Sequence, residues 1–252
     1  MLHPRVIPCL LMRNGGLVKT VKFKNARYIG DPINAVRIFN EKEVDELVIL
    51  DIGSAGTRAA PDFDLLADIA SEAFMPFSYG GGITSIGHVK RLYALGVEKV
   101  VLNTAAADEP RLVSEAAALA GSSGVVVSMD VRRSWLGSYT VCVAGGTRDL
   151  KREPAAYARD MEELGAGEIL LNAIDRDGTR EGYDLELVRR VSEAVSIPVV
   201  VAGGAGDLRH FRDAAEAGAS ALAAGSMFVF HGKHDAVLIT YPEYEELDRI
   251  FK

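Results

Sequence analysis

Several protein classes are excluded by what this sequence lacks. It has two cysteines, Cys9 and Cys142, in 252 residues. That is too few for a disulfide framework, and it fits a reducing cytosol. No apolar run approaches the roughly 20 residues of a membrane span. The apolar stretch in the opening MLHPRVIPCLLMRNGG is too short and too broken by proline for a signal peptide. No Lys/Arg cluster stands out, and the net charge is −7. Nucleic acid is therefore not an expected partner. His3, His88, His210, His231 and His234 fall at no metal-ligand spacing, so no metal is assigned. No motif calls for a cofactor. A cytoplasmic protein without membrane or nucleic-acid partners is the expectation.

What the chain does have is an internal repeat. The stretch IPVVVAGGAG, Ile197 to Gly206, is a short apolar run ending in a glycine pair. MPFSYGGGI, Met75 to Ile83, has the same design. At one constant offset Pro76 pairs with Pro198, and Gly81-Gly82 with Gly203-Gly204. The same offset pairs Glu46 with Glu168, Gly56-Thr57-Arg58 with Gly178-Thr179-Arg180, and Asn103-Thr104 with Gly225-Ser226. A chain built from two copies of one half, about residues 1–121 and 122–252, accounts for this.

Each half alternates apolar runs with amphipathic stretches. Strands are expected at Arg5–Leu11, Glu46–Ile52, Phe77–Gly80 and Lys99–Asn103, then at Val125–Asp130, Glu168–Ala173, Val199–Ala202 and Ala219–Ala224. Helices follow them. Asp31-Pro32 opens the first with a capping Asp and a proline at the first helical position. A last helix is expected at about Tyr241–Phe251. Arg13 to Ile29 reads as a loop or small hairpin, and Trp135 to Gly146 as a hairpin insertion packed by Trp135 and Tyr139. Strands of near-continuous Val, Ile and Leu are buried on both faces, as in a parallel sheet. Eight such units close into a single-domain α/β (β/α)8 barrel, a TIM barrel, over residues 1–252. A doubly wound open sheet explains the alternation but not the twofold repeat.

In a barrel the loops after the strands carry function. Gly81-Gly82 and Gly203-Gly204 fall there, as do Asn103-Thr104 and Gly225-Ser226. A lone glycine pair reads best as a tight turn. Two symmetric pairs, each matched to a small polar pair, point to two phosphate sites across the mouth. Asp175 to Thr179, with Asp177 and Gly178, either binds substrate hydroxyls or makes a solvated Asp-Gly turn. Asp130 ends its strand facing the mouth, where a carboxylate can act as general acid or base. Its counterpart in the first half is Leu11. At the strand starts stand Arg5, Glu46, Lys99 and Glu168, alternating in sign. Spacing alone reads these as a salt-bridge ring at the barrel floor.

The motifs RVIPCL, DELVILDI, GGGI, KVVLNTAA, GAGEILLNAIDRDGTREGYD and GGAG give the chain a further meaning. Over nearly its whole length it resembles the cyclase subunit of imidazole glycerol phosphate synthase. The resemblance implies a barrel that binds a bis-phosphate ribosyl aminoimidazole carboxamide. A glutaminase partner docks on the N-terminal face and sends ammonia through the barrel. It makes Asp130 one of two catalytic aspartates, and Arg5, Glu46, Lys99 and Glu168 the ammonia gate. Glu98 then lies where an acid meets the glutaminase. Gly82, Asn103, Thr104, Asp177, Gly204, Gly225 and Ser226 fall on substrate or phosphate positions, and Lys19 on a lysine of the first loop.

Departures from the family pattern point to a paralogous branch. Leu11 stands where the second catalytic aspartate is usual, Thr20 replaces a glycine, Asn172 a threonine, and the tail differs. In that branch barrel and glutaminase supply ammonia to a sugar amidotransferase, which turns an acetamido group into an acetamidino group. The alternatives are a genuine histidine-pathway cyclase and a non-catalytic activator of the glutaminase.

Overall fold

The computed structural model describes residues 3–55 and 59–252. The repeat positions Gly56, Thr57 and Arg58 lie outside the described residues. The first half runs β1 (Arg5–Arg13), β2 (Gly16–Val21), β3 (Lys24–Gly30), α1 (Pro32–Glu41), β4 (Leu47–Asp51), α2 (Phe63–Glu72), β5 (Phe77–Gly80), α3 (Ile86–Ala94), β6 (Lys99–Leu102), α4 (Thr104–Asp108) and α5 (Arg111–Ala120). The second half opens with β7 (Val125–Arg133), β8 (Tyr139–Val143), β9 (Arg148–Asp149) and α6 (Pro154–Glu163). It continues with β10 (Glu168–Ala173), α7 (Leu185–Ser192), β11 (Val199–Ala202), α8 (Leu208–Glu216), β12 (Ala221–Ala224) and α9 (Ser226–Val229). A small hairpin, β13 (Phe230–His231) and β14 (Ala236–Val237), precedes α10 (Tyr244–Phe251).

Eight of the strands form one closed parallel ring in the order β1, β4, β5, β6, β7, β10, β11, β12 and back to β1. With helices between the strands this is the expected (β/α)8 barrel. Alternation along each strand divides the core in two. In β1, Val6 and Leu10 join the layer between sheet and helices. Ile7, Cys9 and Leu11 point to the axis, among Val48, Val101, Val126 and Leu170. Small residues on the last strands, Ala202, Ala221 and Ala223, complete that inner cluster.

Local signals explain the helix starts. The Asp31 carboxylate accepts from Asn34 N–H at 2.9 Å, and Pro32 occupies the first turn. The short helices α4 and α9 and the β13–β14 hairpin were not foreseen. The short helices α4 and α9 follow Asn103 and Gly225, the small polar pairs of the repeat. Those two residues share an unusual backbone, φ −123°, ψ −91° and φ −115°, ψ −72°.

Both hairpins form, each at the same place in its half. β2 and β3 extend antiparallel from β1, and β8 and β9 from β7. One packing expectation is corrected. Trp135 is 92% exposed at the hairpin tip, because the chain turns back between Ser134 and Ser138. Tyr139 does pack, and its hydroxyl donates to Asp184 Oδ1 at 2.9 Å. Among the described residues no helix is long and apolar enough to cross a membrane.

The last helix begins at Tyr244 rather than near Tyr241. Tyr241 instead ties the tail to the barrel: its hydroxyl donates to the Val6 carbonyl at 2.8 Å. Tyr241→Phe is therefore expected to cost about 1 kcal/mol. A urea-unfolding midpoint checks this, with the exposed Tyr244→Phe as an unaffected control.

Candidate functional site

Parallel strands place their first residues at one end of the ring and their last residues at the other. At the first end Arg5, Glu46, Lys99 and Glu168 meet across the axis. The Arg5 guanidinium bridges Glu46 and Glu168. Lys99 Nζ bridges the same two acids, at 3.0 and 2.8 Å. Ser78 Oγ adds a bond to Glu46 Oε1 at 3.0 Å. The glutamates are almost fully buried. Each acid holds both cations, so no charge in the ring is left alone in a low dielectric. Directly above lies a small cavity walled by Ile7, Val48, Ser78, Val101 and Leu170.

At the other end the sequence-predicted mouth residues converge. Asp130 on β7 is 7% exposed. It accepts from Asn103 Nδ2 at 3.2 Å, which also donates to the Ser128 carbonyl at 3.0 Å. Thr104 Oγ1 donates to Asn103 Oδ1 at 3.2 Å and accepts from the Ala144 N–H at 3.0 Å. Asn103 is thus held from both sides and presents its amide to the carboxylate. Burial pushes the Asp130 carboxyl up to about 7. The Asn103 bond opposes that shift, and the Asp177 charge adds to it. Such a group exchanges protons near neutrality, as acid-base chemistry needs. Leu11 lies on β1, four strands away in the eight-strand ring. The inner wall opposite Asp130 therefore carries the isobutyl group of Leu11.

The β2–β3 hairpin crosses this mouth. Lys19 on β2 is 5% exposed, and its Nζ donates to the Cys9 carbonyl at 2.5 Å. A Cβ on Gly225 would lie 2.1 Å from that Nζ, so only glycine lets the ammonium in. Burial lowers the Lys19 pKa, against the pull of Cys9 and Asp177. Asp177 Oδ2 accepts from Thr20 Oγ1 at 2.7 Å and from Phe23 N–H at 3.1 Å. Burial raises the Asp177 pKa, and these bonds and Lys19 oppose it. A Cβ on Gly178 would meet the Thr20 carbonyl at 2.2 Å, so the hairpin rests directly on this loop. The glycine pairs take positive φ: +115° and +68° at Gly81 and Gly82, +84° and +118° at Gly203 and Gly204. α4 and α9, opened by Thr104 and Ser226, have no side-chain cap. Their first N–H groups are left for solvent or an anion.

One mouth residue escaped the sequence reading. Asp51, at the end of β4, caps the next turn through Gly53 N–H at 2.8 Å. Burial raises its pKa, opposed by the Gly53 and Ser54 bonds, while the Asp62 charge adds to the rise. The signal was available: Asp51 closes ELVILD as Asp130 closes VVVSMD. Asn172, noted above as a departure from the family pattern, stands in Cα register with Asp130 on the neighbouring strand. Among the described residues no group of three or more His, Cys, Asp or Glu could hold a metal ion.

The Asp130 shift fixes a sign. Its proton affinity is higher folded than unfolded. The stability contributed by the neutral carboxyl is therefore full below about pH 4 and is lost as pH rises through about 7. Asp130→Asn, which stays neutral, should raise the melting temperature at about pH 8.5 and bring much less gain at about pH 5. Thermal melts at both pH values check this. An equal gain at both would remove the assignment of a buried, titrating Asp130.

Comparison with known proteins agrees with the geometry. A model of the family described as histidine biosynthesis protein matches residues 5–235. A Pseudomonas aeruginosa protein provisionally named imidazole glycerol phosphate synthase subunit hisF2 is 51% identical, over 98% of this chain and 99% of its own. A Vibrio vulnificus protein provisionally named subunit hisF3 is 45% identical, over 98% and 95%. The imidazole glycerol phosphate synthase subunit HisF of Streptomyces coelicolor is 42% identical over 90% of both chains. By this likeness, and by a barrel with Asp130 at its mouth, the chain belongs to the histidine biosynthesis family, within its imidazole glycerol phosphate synthase cyclase-subunit group.

Proposed function

We propose that this barrel takes ammonia from a glutaminase docked on its N-terminal face and delivers it to a mouth that binds a phosphorylated ligand. The ammonia then serves a sugar amidotransferase that makes an acetamidino group, rather than full imidazole ring closure on this chain. The observation that carries the reading is Leu11. It lines the inner wall where the resemblance places the second catalytic aspartate. Ring closure with cleavage needs a proton taken at one place and given at another, and an isobutyl group can do neither.

Other features support the remaining parts. Arg5, Glu46, Lys99 and Glu168 sit together at the floor, and a small cavity lies above them. Gly82 with Thr104 and Gly204 with Ser226 are the proposed phosphate sites, and Lys19 is buried beside Gly225. The numbered names of two relatives, hisF2 and hisF3, are compatible with a paralogous branch. One observation favours a second reading, a working histidine-pathway cyclase. Asp130 titrates near neutrality, where a single group can both accept and return a proton.

Turnover of the bis-phosphate carboxamide substrate at saturating ammonium separates the two. Wild type is expected about two to four orders of magnitude below a good synthase, with substrate binding better preserved. Leu11→Asp should recover part of the rate. Full wild-type turnover restores the histidine-pathway reading.

The glutaminase partner is tested by co-purifying the chain with a cognate glutaminase. A stable complex is expected. Lys99→Ala leaves both floor glutamates to Arg5 alone. It should alter the transfer of glutamine-derived ammonia while the use of free ammonium is spared. Failure of any cognate glutaminase to bind would sink the proposal.

A further inference from the structure

The offset that pairs Pro76 with Pro198 also pairs His88 with His210. Each stands third in the helix that follows a glycine pair, His88 on α3 and His210 on α8. The caps of those helices, Ser85 and Asp207, are repeat partners too. In the second half the Gly206 N–H donates to His210 Nδ1 at 3.1 Å. In the first half the N–H of Thr84, the repeat partner of Gly206, donates to His88 Nδ1 at 3.4 Å. The same His88 nitrogen lies 3.2 Å from the Gly82 carbonyl.

In a capping box the third helical residue takes the N–H of the cap itself, which ties off the helix. Here the histidine reaches past the cap to the residue before it, which belongs to the loop. The helices are already capped, by Ser85 at the His88 N–H and by Asp207 at the Arg209 N–H. What the histidine bond fixes is the end of the glycine loop. Close packing fixes its start. A Cβ on Gly82 would meet the Ala59 carbonyl at 2.5 Å, and one on Gly204 the Gly182 carbonyl at 2.2 Å. The His210 ring also packs on Gly182, and the His88 ring on Phe63. Among the described residues no acceptor takes the N–H of Gly82, Ile83, Gly204 or Ala205. A loop with two residues at positive φ is costly to order, and an anion that must order it binds more weakly.

We propose that His88 and His210 are positioning residues for the two anion sites of the mouth. Each holds one glycine loop in the shape that keeps its free N–H groups ready for a phosphoryl oxygen. This rests on the reading of Gly82 with Thr104 and Gly204 with Ser226 as phosphate sites. Each histidine serves one loop, so a fault in one site leaves the other intact.

The test is calorimetric titration of the full-length chain with inorganic phosphate, with crystals grown in phosphate to show which site fills. Wild type should bind two phosphates. His88→Phe keeps a ring but accepts no hydrogen bond. It should weaken the Gly82 site about fivefold and spare the Gly204 site. His210→Phe should do the reverse. Asn offers an acceptor oxygen where Nδ1 stood, so His88→Asn and His210→Asn should recover most of the affinity. His88→Ala and His210→Ala, at half-buried positions, stand in for a Phe variant that does not fold. A histidine that merely anchors its helix would lower the melting temperature on replacement and leave phosphate affinity unchanged. That outcome overturns the inference while the phosphate sites stand. So does an Asn variant no better than Phe. Wild type that takes up no phosphate removes the phosphate reading itself, and this inference with it.

Discussion

In a closed ring of parallel strands, every second side chain has only the axis to turn to. That constraint brings Arg5 onto Glu168, which is 163 residues away in the chain. It also sorts chemistry by height. The first inward residues make a charged floor, the next an apolar waist that includes Ile7 and Leu170, and the last a polar mouth around Asp130. Eight parallel pairings close the ring, β7 with β10 and β12 with β1 among them. If either opened, the floor charges would lose their partners and the waist would take in water.

The two ends handle buried charge differently. At the floor every ion has two partners of opposite sign. At the mouth the hydrogen-bond partner of Asp130 is a neutral amide, which only partly offsets the rise in proton affinity that burial causes. Lys19 is held by a carbonyl and Asp177 by a hydroxyl and an amide N–H. A stable floor beneath loosely compensated groups is what a scaffold with a reactive end requires. Natural sites keep their unpaired groups where a ligand can pair them.

The barrel was legible because it rests on strong local signals. VVVSMD and EILLNA are too uniformly apolar for anything but buried strands, and Asp31-Pro32 is an unambiguous helix start. The internal repeat then limited the ways eight units could be arranged. The site was legible only in part. Asp130 and the glycine pairs could be placed from strand ends. The floor ring could be read from spacing as salt bridges, and only its reading as an ammonia gate needed the family resemblance, because charges at strand starts are common in any barrel. The contacts of Thr20 and Phe23 with Asp177 could not be read at all. They depend on how far a hairpin leans, which no periodicity encodes. Trp135 was misplaced for the same reason: alternation shows which face a residue takes, but not whether anything lies against it.

The four floor charges alternate around a closed loop, and this has an electrostatic consequence. Two positive and two negative groups at the corners of a rough square have no net charge and, by symmetry, little net dipole. Their potential along the axis largely cancels. A neutral molecule of a few atoms would meet little field there and need only a side chain to swing aside. An ion would leave its hydration shell and find no compensating potential. In the proposed passage of ammonia, the order of charges around the ring would discriminate by charge state before it discriminates by size.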